Sequence, residues 1–534
     1  MDLSSKSAIV RLILPHVPYL TRTALLHTLY LSETSTKWDL RTEMIVKLIR
    51  AVLATPSPHG ALHRQRVTLR DPGIKGPIWI SKVTLPVPGD DSILTPFYLA
   101  IDDLKTLPTE TYAVPALLPV EAEWTGHRPN VNAHHPRPDL SESQHYERLL
   151  SATTIPITLL YFHGGAFVMM DPSSHRPHVS HLCKLTGGRA LSVRYRLSPQ
   201  AAFPAALLDA YIAYLSLLYP PPGNFHSAVQ AKHIVFGGDS AGGNLCFALT
   251  QLLLQINRSS TPGQKVHFHS HTIELPLPLP AGVSAHSPWL DLTHVFPSKM
   301  TNAKYDYLPS PMSPQSLRDI PRDSIWPTDP PRGDLYCEIN MLCHPLVSPV
   351  AARDWTGGKD GEVAPPMYLA FGEEMLVDEG KQLAQTAARQ GVTVIWEEWE
   401  GMCHCFGMVL PGTPMSKRVF SDWAGFCRAV CGVDGQAGGE GGKAGQSGEF
   451  GKGGAEEVEV STDGRANGKP SEKGEQPPLK TSGTFFASKT GKPLDLDVLN
   501  LAVLSDEEVT RRMREGMEKR HLKPEEAVVG MPKL

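Results

Sequence analysis

The sequence predicts an α/β protein: a mostly parallel sheet with helices on both faces and extra segments at each end. Two patterns predict it. Strand-like runs alternate with helical stretches from about residue 76 to 427, and one of those runs, IPITLLYF (155–162), is an unbroken apolar run. A strand reads as continuously apolar when both faces of its sheet are covered, and alternation with helices marks parallel strand–helix–strand units. The strand-like runs are GPIWISKVTLPV (76–87), IPITLLYF (155–162), RALSVRYRL (189–197), HIVFGG (233–238), PMYLAFG (366–372) and VTVIWEEW (392–399). The helical runs between them are FPAALLDAYIAYLSLLY (203–219), GGNLCFALTQLLLQI (242–256) and DEGKQLAQTAARQG (378–391).

Other segments break this rhythm. Residues 1–75 are expected to form a helical cap segment, since Leu40, Ile45, Leu48, Ile49 and Val52 recur at roughly helical spacing. Within the main domain, 76–431, residues 295–350 are rich in proline, serine and aspartate and read as a long insertion, the kind of addition that often sits over a site. Residues 432–490 are dominated by Gly, Glu and Lys, and such a stretch cannot bury enough apolar surface to offset its ordering entropy, so a disordered linker is expected. Residues 491–534 are expected to be a helical tail. Ser505 and Glu508 stand at capping-box spacing there, in a helix either docked back on the domain or reserved for a partner.

Composition narrows the function classes. The chain has 534 residues, 41% hydrophobic and 20% charged, enough for a sizeable core. A net charge of −4 without a basic stripe argues against a nucleic-acid partner. The eight cysteines are irregularly spaced and no secretory signal precedes them, so reduced thiols and a cytoplasmic location are expected. Cys403-His404-Cys405 lacks a second ligand cluster, so no metal is expected. No run of about twenty apolar residues points to a membrane span. AIVRLILPHVPYL (8–20), interrupted by Pro15 and Pro18, reads as a lid or core segment, with peripheral lipid contact as the other reading.

The chemistry concentrates at GGDSAGG (237–243), which follows a strand-like run and precedes a helical one. Gly238-Asp239-Ser240-Ala241-Gly242 fits the G-x-S-x-G nucleophile elbow, a tight turn that lifts a serine hydroxyl above the sheet at the positive end of a helix. A hydroxyl is a weak nucleophile, so it requires a base and a site for the developing oxyanion. YFHGGAFV (161–168) supplies the second: Gly164 and Gly165 let backbone N–H groups converge, and the Ala241 N–H completes the set. His404, in the loop after VTVIWEEW, holds the place of the base in the chain order serine, acid, histidine. The acid lies in AFGEEMLVDEG (370–380), where Glu373 and Glu374 occupy a loop at the end of a strand and Asp378 and Glu379 begin a helix.

These motifs together resemble the hormone-sensitive-lipase-like branch of the α/β-hydrolase fold over roughly residues 155–427. HGGAF resembles its HGGG oxyanion segment, YRLSPQAAFPAALLDA (195–210) its Y-R-L-A-P-E block, GDSAGG its elbow and SPWLDLT (287–293) its S-P-W-x-D-L segment. The resemblance implies a serine hydrolase of carboxylic esters that needs no metal or organic cofactor, with a cap built from the N-terminus and a mid-chain excursion. It implies the N–H groups of Gly164, Gly165 and Ala241 as oxyanion donors. Its D-x-L-x-D-E-G acid motif reads Glu374-Met375-Leu376-Val377-Asp378-Glu379-Gly380 here, which selects Glu374 as the triad acid, Asp378 as runner-up and Glu373 third. Ala166 stands where the family carries a third glycine. A non-catalytic small-ligand receptor on the same fold, and a hydrolase of amides, lactones or acetylated secondary metabolites, are the alternatives. Substrate identity and oligomeric state are left open.

Overall fold

The computed structural model describes residues 10, 13–54, 59–89, 92–309, 320–357, 362–433, 479–488 and 490–520. Its centre is a sheet that has ten strands among those residues. Eight carry most of it: β1 (Ile78–Leu85), β2 (Val120–His127), β3 (Thr158–Phe162), β4 (Arg189–Arg194), β5 (Ile234–Asp239), then, after a separate hairpin of β6 (Lys265–Phe268) and β7 (His271–Glu274), β8 (Gly282–His286), β9 (Met367–Gly372) and β10 (Val394–Trp399). β11 (Ser482–Phe486) and β12 (Pro493–Leu496) complete it, and the spatial order is β1-β2-β4-β3-β5-β8-β9-β10-β11-β12. From β4 to β11 every neighbouring pair is parallel; β1, β2 and β12 run antiparallel to their neighbours.

The apolar runs have the expected cause. In β3, Leu160 and Phe162 enter one core cluster, while Leu159 and Tyr161 enter another on the opposite face. β9 divides likewise, Met367, Leu369 and Phe371 against Tyr368 and Ala370. Successive side chains point to opposite faces, so a strand covered twice must be apolar at every position. One face is covered by helices Ala205–Leu218, Ser240–Ser259 and Val377–Arg389, the other by Pro172–Thr186 and Pro414–Val430. All fourteen residues of Ala205–Leu218 are buried, and its one carboxylate, Asp209, is paired with Arg196 at 2.8 Å.

The N-terminal segment forms helices Val17–Thr28, Leu40–Ala54 and Ala61–Thr68. It touches the body near the carboxyl ends of the parallel strands. Lys37 pairs with Glu373 at 2.6 Å, the Trp38 indole N–H donates to the Gly401 carbonyl, and Gln65 donates to the Val168 carbonyl at 3.0 Å.

The linker expected over 432–490 needs correction at its far end. Most of that stretch lies outside the described residues, but Ser482–Phe486 is a strand paired in parallel with β10. Phe486 decides it: buried, with its ring centroid 4.0 Å from that of Trp399, it anchors five residues between β10 and β12. The helix in the tail, Asp506–Arg520, is docked back on the domain. It buries Val509, Met513 and Met517 in the core, and the Arg353 guanidinium pairs with Asp506 at 2.6 Å. The expected cap at Ser505 is present, accepting from the Glu508 N–H at 3.2 Å. Residues 521–534 lie outside the described residues.

Candidate active site

Each candidate residue follows the carboxyl end of a parallel strand, and the sheet order brings those ends together. Ser240 opens the helix Ser240–Ser259 directly after β5, with φ of +50°. A serine in the left-handed region carries backbone strain, the signature of a nucleophile elbow. The turn is tight because Gly242 packs on the end of β3, where a Cβ would lie 2.0 Å from the Phe162 carbonyl oxygen.

Glu374 follows β9 and His404 follows β10, and the structure joins them: His404 Nδ1 lies 2.5 Å from Glu374 Oε2, with both side chains buried. Burial pushes the Glu374 carboxyl up, against the pull of the imidazole. Burial also disfavours the charged imidazole, but the adjoining Cys405 and Glu374 side chains outweigh it and hold His404 well above its ordinary value. The segment after β8 ties the Ser240 turn to the loop carrying His404. The Trp289 N–H donates to the Ser240 carbonyl at 3.0 Å, and the Cys405 N–H donates to Ser287 Oγ at 3.0 Å.

Gly164, after β3, lies against Ser240: a Cβ added there would meet Asp239 Oδ2 at 2.3 Å and the Ser240 Cβ at 3.2 Å. Gly165 has φ of +109°, and a Cβ would strike the Met169 carbonyl oxygen at 2.2 Å. Ala166 adopts φ of +54°, so alanine occupies a conformation better suited to the glycine it replaces. Beneath this segment, Asp239 accepts from the Tyr161 hydroxyl at 2.8 Å and faces His175 Nε2 at 3.3 Å. Burial, then the nearby His175, lowers the His163 imidazole to about 3, leaving it neutral beside the turn it supports.

The other carboxylates of 370–380 point elsewhere. Asp378 accepts from the Ser298 N–H at 2.9 Å, Glu379 from the Leu290 N–H at 2.7 Å, and Glu373 pairs with Lys37. Ser287, which opens SPWLDLT, and Asp306 gain contacts to the acid and histidine loops across about 70–120 residues of chain, separations that no local pattern reveals.

A family model for the alpha/beta hydrolase fold matches residues 159–408, from β3 to just past His404. An acetyl-hydrolase of Streptomyces hygroscopicus is 32% identical over 278 residues, 52% of this chain and 76% of the relative. The chain belongs to the α/β-hydrolase family. An esterase of Acinetobacter venetianus is 26% identical to this hydrolase over 274 residues, 51% of the chain and 75% of the relative. Human hormone-sensitive lipase is 36% identical over a shorter 94 residues, 17% of the chain and 8% of that protein. Over that stretch the hydrolase is similar to hormone-sensitive lipase.

Proposed function

We propose that this hydrolase cleaves carboxylic esters through a Ser240-Glu374-His404 triad and an acyl-enzyme. It is an enzyme of the carboxylic-ester hydrolase class. The observation that carries the triad is the buried Glu374–His404 hydrogen bond among the loops that also hold the strained Ser240. Ser240 Oγ attacks the acyl carbon while His404 Nε2 takes its proton; Glu374 fixes the imidazole tautomer and stabilises the imidazolium. The oxyanion is received by the N–H groups of Gly164, Gly165 and Ala241. Collapse expels the alcohol, which takes the proton from His404. Water, deprotonated by the same histidine, then attacks the acyl carbon and releases the acid. No step calls for a metal or organic cofactor.

The N-terminal segment and residues 295–350 act as the cap over this site; the contacts of Lys37, Trp38 and Gln65 support that role. The first helix, Val17–Thr28, and the residues flanking it also offer a lipid-facing surface: Leu14, Leu25, Leu29, Tyr30 and Leu31 are each more than half exposed, and residues 10–31 contain no carboxylate. Among the described residues no helix is long and apolar enough to cross a membrane, so lipid contact is peripheral. Co-sedimentation with anionic phospholipid vesicles, lost on Leu25→Asp/Leu29→Asp, tests it; equal sedimentation of both proteins contradicts it.

Hydrolysis of p-nitrophenyl acetate and butyrate tests the catalytic reading. The parent enzyme turns both over and Ser240→Ala does not. A parent inactive on short esters, or an active Ser240→Ala, rejects it.

A further inference from the structure

The buried carboxylate of Asp306, in the insertion, belongs to neither the nucleophile nor the acid motif. Its Oδ2 accepts the N–H of Met375, next to Glu374, at 3.0 Å; its Oδ1 accepts the N–H of His404 at 3.3 Å and of Tyr307 at 2.7 Å. One fully buried side chain therefore links the backbone carrying the triad acid to the backbone carrying the base. The insertion grips the acid loop twice more: Asn302 Nδ2 donates to the Glu374 carbonyl at 3.1 Å and Ser298 Oγ to the Met375 carbonyl at 2.8 Å. On the far side, Arg50 of the helix Leu40–Ala54 holds the turn that presents Asp306. Its Nε donates to the Asp306 carbonyl at 2.7 Å and its Nη2 to the Lys304 carbonyl at 2.9 Å.

We propose that Asp306, held by Arg50, is a positioning residue that fixes the Glu374–His404 pair in catalytic register and couples that register to the cap. The proposal rests on the reading of Glu374 and His404 as acid and base. The physical ground is leverage. The acid and base sit on separate loops, and about 1 Å of misplacement costs on the order of 10²-fold in rate. A carboxylate accepting from both loops at once holds their separation. An asparagine cannot, because its NH₂ would face either the Met375 N–H at the Oδ2 position or the His404, Tyr307 and Leu308 N–H groups at the Oδ1 position. The other groups around Asp306 have different duties: the Arg50 guanidinium binds carbonyls, and the Tyr307 ring lies 6.0 Å from that of His404.

A double-mutant cycle tests this on the full chain with p-nitrophenyl butyrate. In the parent, Asp306→Asn lowers kcat by about 10–100-fold with KM within about 2-fold. In a Glu374→Gln background, where no register remains to protect, the same change lowers kcat by less than about 3-fold. An equal loss in both backgrounds, a loss expressed only in KM, or no loss in the parent overturns the proposal. If Asp306→Asn does not fold, Arg50→Met takes its place in the same cycle with the same criteria. A parent whose activity ignores Glu374→Gln overturns the triad reading and this inference together; a Glu374-dependent parent indifferent to Asp306→Asn or Arg50→Met overturns this inference alone.

Discussion

Replacing Glu374 by glutamine separates the two acids that the 370–380 stretch offers. Glu374 is fully buried, and its Oε2 is 2.5 Å from His404 Nδ1. The amide keeps the shape but removes the charge, and if its NH₂ faces the ring it imposes the wrong tautomer on His404. Loss of such a carboxylate from a triad lowers turnover by about 10³–10⁴-fold, which is about 4–5.5 kcal/mol of transition-state stabilisation. Asp378→Asn is the internal control. Asp378 Oδ2 accepts only the Ser298 N–H among the described contacts, at 2.9 Å. Its change is expected to leave kcat within about 3-fold and to lower stability by about 1–2 kcal/mol, the value of one buried hydrogen bond. The assay is steady-state hydrolysis of p-nitrophenyl butyrate with urea unfolding of each variant. A Glu374→Gln enzyme within 10-fold of the parent, beside an Asp378→Asn enzyme that has lost about 10³-fold, refutes the assignment and moves the triad to Asp378.

Three further outcomes follow from the same geometry. Gly164→Ala drives a Cβ to within 2.3 Å of Asp239 Oδ2, so kcat falls by at least about 10² through displaced oxyanion donors; unchanged kcat contradicts the donor assignment. Ala166→Gly relieves a left-handed alanine and raises stability by up to about 1 kcal/mol in urea unfolding, the strain relieved exceeding the added chain entropy of glycine; a loss of more than about 1 kcal/mol contradicts the strain. His404 is held above its ordinary pKa and serves as base only when neutral. Activity is therefore lost as pH falls through a limb lying above 6.5. Because Glu374 helps raise it, Glu374→Gln moves that limb of kcat/KM to lower pH, while a limb that stays or rises contradicts the pairing.

What the sequence made legible was local. The elbow turn shows because strand, GDSAGG and helix are contiguous, and Glu374 stands out as a candidate because motif register needs only seven residues. The chain order of serine, acid and histidine then points to His404. β2 escaped because VEAEWTGH alternates charge with apolar residues at one side of the sheet, and β8 because GVSAH is five residues with a serine and a histidine, both buried. β11 escaped because SGTFF follows a polar stretch and gains its meaning only when Phe486 meets Trp399. Asp306 carries no motif signal: it meets Met375 and His404 across 69 and 98 positions of chain, a juxtaposition that only the folded sheet creates.

Everything in this mechanism depends on Ser240 being the nucleophile. Peptide mass spectrometry after treatment with a fluorophosphonate probe tests it most directly. One modified residue is expected, Ser240, with esterase activity lost in proportion to labelling and no labelling in Ser240→Ala. Full inactivation with the label on another residue, or undiminished hydrolysis with Ser240 fully labelled, contradicts it.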